Sequence, residues 1–79
     1  MGSDLIERLL VSTERHIADG ERHIAQQYEI IDRLERTGLG SCTTATMARD
    51  LLQQMETSLD EQLVERERLR DYLERAEKT

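Results

Sequence analysis

The stretch Gly38-Leu39-Gly40-Ser41-Cys42-Thr43-Thr44 decides the fold of this chain. Proline is absent and the other two glycines, Gly2 and Gly20, stand apart, so this is the one segment that reads as a connection. It divides the chain almost in half, and each half carries helix signals. On its N-terminal side, Arg33 and Arg36 suit the negative end of a helix dipole, and Gly38 suits the left-handed position just past a helix end. Leu39 then falls where a Schellman ending wants an apolar residue, opposite Leu34. Ser3 or Asp4 caps the start, and Glu7 stands at capping-box spacing from Asp4. These signals predict a first helix at about 4–37 and a turn at about 38–43. Thr43 or Thr44 caps a second helix at about 44–77. Acid-before-base pairs at i,i+4 (Asp4/Arg8, Glu29/Arg33, Asp32/Arg36, Asp71/Arg75) support both helices slightly.

Outward from the turn, both halves fit a heptad frame. In the first helix one core column holds Leu10, Ile17, Ile24 and Ile31, and its neighbour holds Ile6, Thr13, Gly20, Gln27 and Leu34. A flanking column holds Leu9, His16, His23 and Ile30, while Arg8, Arg15, Arg22, Glu29 and Arg36 line the opposite surface. In the second helix the core columns are Leu52, Leu59, Arg66, Leu73 and Ala48, Met55, Gln62, Leu69, Ala76, widened by Leu51, Leu63 and Tyr72. A helix that buries three columns usually touches more than one neighbour. The expected architecture is therefore all-α: residues 1–79 form one antiparallel two-helix hairpin that dimerises into a four-helix bundle. The residues expected at the interface are Leu10, Ile17, Gly20, His23, Ile24, Ile31, Leu52, Met55, Leu59, Gln62, Arg66 and Leu69. The pattern is apolar at the ends and polar in the middle, where Thr13, His16, Gly20 and His23 come to the height of Ser58, Gln62, Glu65 and Arg66.

Composition narrows the function. Seventy-nine residues with two tyrosines and no Phe or Trp cannot enclose a substrate cavity and line it with catalytic groups, which argues against an enzyme. The longest apolar run is Leu9-Leu10-Val11, so no membrane span is expected. No signal peptide is recognisable, and the single cysteine excludes an internal disulfide framework, which fits a reducing cytoplasm. The net charge of −6 argues against general affinity for nucleic acid. Arg8, Arg15 and Arg22 align, but Glu7, Glu14 and Glu21 neighbour them, so as an RNA-binding stripe they are weak. No catalytic triad, phosphate loop or aspartate-rich metal loop is present, and no cofactor is implied.

The sharpest local signal is a repeat one heptad apart. Glu14-Arg15-His16-Ile17-Ala18 is followed by Glu21-Arg22-His23-Ile24-Ala25. Both histidines fall on one face, about 10 Å apart along the axis, too far to share one ion. His16, His23 and Glu65 are the candidate metal ligands only if a second chain brings its own His23 close. The structural alternative hydrogen-bonds the imidazoles to Glu65, Gln62 or Ser58 to set register. A pH-sensitive layer is a further reading. Gly20, in a core column at mid-helix, suggests close approach of a neighbouring group. Gln62 and Arg66 interrupt the second helix's core, as residues that select register and oligomeric state do. Cys42 reads as an inert turn cysteine.

The string Glu14-Arg15-His16-Ile17-Ala18-Asp19-Gly20-Glu21-Arg22-His23-Ile24-Ala25-Gln26-Gln27, then Ile30-Ile31 and Arg33-Leu34-Glu35-Arg36, resembles small helical-hairpin proteins of rhizobia and other alphaproteobacteria with a GERHI-type first helix. Glu65-Arg66-Glu67-Arg68-Leu69 stands where their second helix carries an acidic and arginine-rich stretch. The resemblance spans roughly residues 5–74. It departs at Gln62, where those proteins often have histidine, and in the longer turn at Leu39-Gly40-Ser41-Cys42. It implies a hairpin and no particular activity. In architecture alone the hairpin is similar to Rop-type RNA-binding dimers. The leading expectation is a non-enzymatic protein–protein interaction module whose partners are a second copy of itself and another protein. A metal- or pH-responsive regulator and a Rop-like RNA-binding hairpin are the alternatives.

Overall fold

The computed structural model describes residues 2–78. Two helices, α1 (Gly2–Arg36) and α2 (Thr43–Lys78), pack side by side as a hairpin, with no strand among the described residues. The result is a rod of 59 × 14 × 13 Å. Its radius of gyration is 17.6 Å, against about 12 Å for a compact domain of this length.

The chain reverses between residues 37 and 42, and the termini of that reversal explain it. Gly38 takes φ 79°, a conformation open to glycine at little cost. Its N–H donates to the Glu35 carbonyl at 3.2 Å, and the Leu39 N–H donates to the Leu34 carbonyl at 2.8 Å. Those two bonds make a Schellman ending and satisfy carbonyls that the helix itself leaves open. The Thr37 hydroxyl donates to the carbonyls of Arg33 and Leu34. At the start of α2 the structure corrects the expected cap. Thr43 and Thr44 are already inside the helix, and Cys42 is the capping residue. The Ala45 N–H donates to the Cys42 Sγ at 3.4 Å, and the Thr46 N–H and hydroxyl donate to its carbonyl. The thiol thus fills the place usually taken by a serine or aspartate oxygen. At the other end, α1 is under way at Gly2, so Ser3 and Asp4 lie in its first turn rather than ahead of it; Met1 lies outside the described residues. Asp4 there complements the positive end of the dipole.

The seam runs the length of the rod. Its buried apolar residues are Ile17, Ile31, Ala45, Ala48, Leu52 and Leu69. Ile31, Ala48 and Leu52 form a cluster toward the turn, with Ile24 and Leu34 packed against it. Buried Gln27 is tied in by its amide, whose Nε2 donates to the Ala48 carbonyl at 2.8 Å, so a polar group in the core finds a partner on the facing helix. Thr13 is buried too. Gly20 faces Leu59: a Cβ on it would lie 3.7 Å from Leu59 Cδ1, ordinary contact distance. The neighbour therefore leaves room for a methyl group at Gly20, and the close approach expected from the sequence is not what the structure shows.

Candidate functional site: two flanks of one seam

The residues expected to meet a second chain are mostly used within the hairpin. Ile17, Ile31, Leu52 and Leu69 are buried in its own seam, and Leu10, Gly20, Ile24, Met55, Leu59, Gln62 and Arg66 are half-buried. His23 is exposed. Ala76, placed in a core column by the heptad frame, is exposed as well. Leu5, Val11, Met47 and Val64 stand exposed on the outer faces of the helices, and the two flanks of the seam differ from each other.

One flank is bridged by ions. The Arg70 guanidinium donates to Glu14 at 3.0 Å and to Glu67 at 3.4 Å, and Arg49 donates to Glu35 at 3.2 Å. Glu14–Arg70 and Glu35–Arg49 each join α1 to α2 across the same side of the seam. Their side chains are about half exposed, so each pair contributes at most about 1 kcal/mol. Tyr28 and half-buried Leu63 share this side by heptad spacing. Leu63 thus stands across the seam from Leu51 and Tyr72 and does not widen the same apolar stripe.

The other flank is open. With Gly20 set against Leu59, four pairs of residues come within about 3 Å of equal height along it: Leu9 with Tyr72, His16 with Glu65, His23 with Ser58, and Ile30 with Leu51. Successive pairs are one heptad, about 10 Å, apart. The outer pairs are apolar and exposed: Leu9 47%, Tyr72 57%, Ile30 47%, Leu51 44%. Between the inner pairs lies a depression of about 160 Å³, walled by His16, Gly20 and His23 of α1 and by Met55, Ser58, Leu59 and Gln62 of α2. Ligand sites usually measure about 300–1,000 Å³. Larger hollows of about 450–530 Å³ are each walled by α2 alone and surround nothing.

Within one chain the histidines stand apart from the groups weighed as their partners. Both imidazoles are exposed, and no hydrogen bond among the described residues ties them to Glu65, Gln62 or Ser58. Glu65 accepts from Arg68 at 3.3 Å instead. Among the described residues no group of three or more His, Cys, Asp or Glu side chains is placed to hold a metal ion, so His16, His23 and Glu65 do not converge within one chain. Arg22, of the proposed arginine stripe, pairs with Asp19 at 3.1 Å. Arg66, half-buried in the seam, keeps its Nε away from water without a hydrogen bond; the Glu67 carboxylate stands 3.9 Å off. The sequence signal for Arg66 was its place in a core column; its orphaned nitrogen emerges only from the packing. Among the described residues, no helix is long and apolar enough to cross a membrane.

In comparisons with known protein families, curated proteins and solved structures, nothing matches this chain.

Proposed function

We propose that this chain is a non-enzymatic, self-associating interaction module: a helical hairpin that pairs with a second copy to make a four-helix bundle and offers the outer faces of that bundle to a protein partner. Surface area carries the reading. The hairpin exposes 6137 Å², whereas a compact monomer of 9.2 kDa exposes about 4,900 Å². The excess of roughly 1,200 Å² is of the size that one protomer hides in an obligate dimer. Burial points the same way. Ile17, the best covered of the large apolar side chains, retains 3% exposure, while Leu5, Leu9, Val11, Tyr28, Ile30, Met47, Leu51, Val64 and Tyr72 are all exposed. A second hairpin laid along the first covers part of that surface and gives each helix two neighbours.

Sedimentation equilibrium at micromolar concentration tests this. The expected mass is twice 9.2 kDa, with a thermal midpoint that rises with protein concentration. A monomer that unfolds cooperatively, with a midpoint independent of concentration, refutes the reading.

A further inference from the structure

We propose that the second copy docks on the open flank of the seam, with both turns at the same end of the bundle. This rests on the self-association reading and adds to it a face and a direction. The flank runs along a rod 59 Å long and 13–14 Å wide, so one copy presents on the order of 800 Å², what a stable interface takes from each partner. Docking on the opposite flank would require stripping water from the Glu14–Arg70 and Glu35–Arg49 pairs, and the desolvation of such charges offsets their attraction.

The order of the four pairs along the open flank then selects the direction. They read apolar, polar, polar, apolar. A twofold axis along the rod lays α1 of one copy over α2 of the other, so each pair meets its own counterpart and Leu9 meets the partner's Tyr72. A twofold axis across the rod lays the Leu9 pair over the partner's Ile30 pair, which is also apolar on apolar. Only the polar pairs tell the two apart. With the axis along the rod, the Glu65 carboxylate faces the partner's His16, whose ring N–H is a donor. With the axis across it, Glu65 faces the partner's Ser58, and His16 faces the partner's His23. A carboxylate leaving water is better held by a ring N–H donor than left facing a hydroxyl that also has its own lone pairs to satisfy. Arg68 already donates to Glu65 from one side, which leaves the other side of the carboxylate for the partner's imidazole.

Two measurements test face and direction separately. In sedimentation, Leu51→Glu is expected to weaken the dimer by about tenfold or more, and Tyr28→Glu, on the ion-bridged flank, to leave it within about twofold. Circular dichroism checks that both variants remain helical, and Ile30→Ser repeats the first test with a milder change. The reverse ranking overturns the docking face while self-association stands. A spin label goes on the exposed turn residue 41 as Ser41→Cys, with Cys42→Ser keeping a capping oxygen at the start of α2. A label-to-label distance of roughly 20–30 Å is expected, from helix spacings of 8–10 Å plus the label arms. A distance on the order of 50 Å, near the 59 Å length of the rod, overturns the direction. If the unmodified chain is a monomer throughout, the self-association reading falls, and this inference with it.

Discussion

The two flanks of the seam are built with the same seven-residue spacing and end up opposite in character. On one, glutamates of α1 meet arginines of α2, and the pairs Glu14–Arg70 and Glu35–Arg49 bridge the helices. On the other, Leu9, Ile30, Leu51 and Tyr72 stand exposed around a shallow histidine-walled depression. The difference separates two tasks. Half-exposed ion pairs add little stability, but they disfavour other registers, in which like charges would face one another. Exposed aliphatic side chains do nothing for an isolated hairpin, and they are the kind of surface that a partner covers. The hairpin thus has one side on which ion pairs join its own helices and one side on which aliphatic side chains face water.

Substitutions in and beside the seam break or sharpen that contrast. The largest effect is expected beneath both flanks. Leu52→Ala, in the cluster with Ile31 and Ala48, should cost about 2–4 kcal/mol and loosen both sides together, measured by urea unfolding at fixed protein concentration. A loss under about 1 kcal/mol would mean that this cluster does not hold the helices together. Next comes Gly20→Ala on the open side. Its new methyl group meets Leu59 at ordinary contact distance and removes a mid-helix glycine, so stability should rise by about 0.5–1 kcal/mol. Destabilisation would show that something in the assembled protein approaches Gly20 more closely than Leu59 does. The smallest effect belongs to the ion-bridged side. A double-mutant cycle of Glu14→Ala and Arg70→Ala should return a coupling of about 0.2–1 kcal/mol that fades in molar salt. A coupling well above that range, insensitive to salt, would mean that this flank is covered rather than wet.

Local chemistry made the fold readable. Gly38 and Leu39 announce the Schellman ending, and the Ile and Leu columns announce which stripe of each helix turns inward. Where the reading failed, distance in sequence or weak side-chain chemistry was involved. Cys42 caps α2 in place of Thr43 or Thr44 because a thiol is a poor but sufficient acceptor, which composition rules for caps pass over. Gln27, a polar residue in a core column, is bonded there because the Ala48 carbonyl lies within reach across the seam. The His16 and His23 repeat is the most regular local signal, yet their imidazoles find no hydrogen-bond partner among the described residues. The contrast between flanks had a signal that heptad columns alone do not weigh. Glu7, Glu14, Glu21 and Glu35 share one column of α1, and Arg49 and Arg70 share the column of α2 that faces it.

Helix, turn and inward stripe follow from the sequence because each depends on residues within one or two turns of one another, where capping, dipole and periodicity act. The pairing of columns across the seam belongs to the tertiary structure alone. Sliding one helix by a turn changes which charges meet while leaving every local preference satisfied, so register is decided by packing between the helices: Gly20 against Leu59, and Gln27 against the Ala48 carbonyl. That register brings acid to base on one side and leaves the aliphatic side chains of the other facing water.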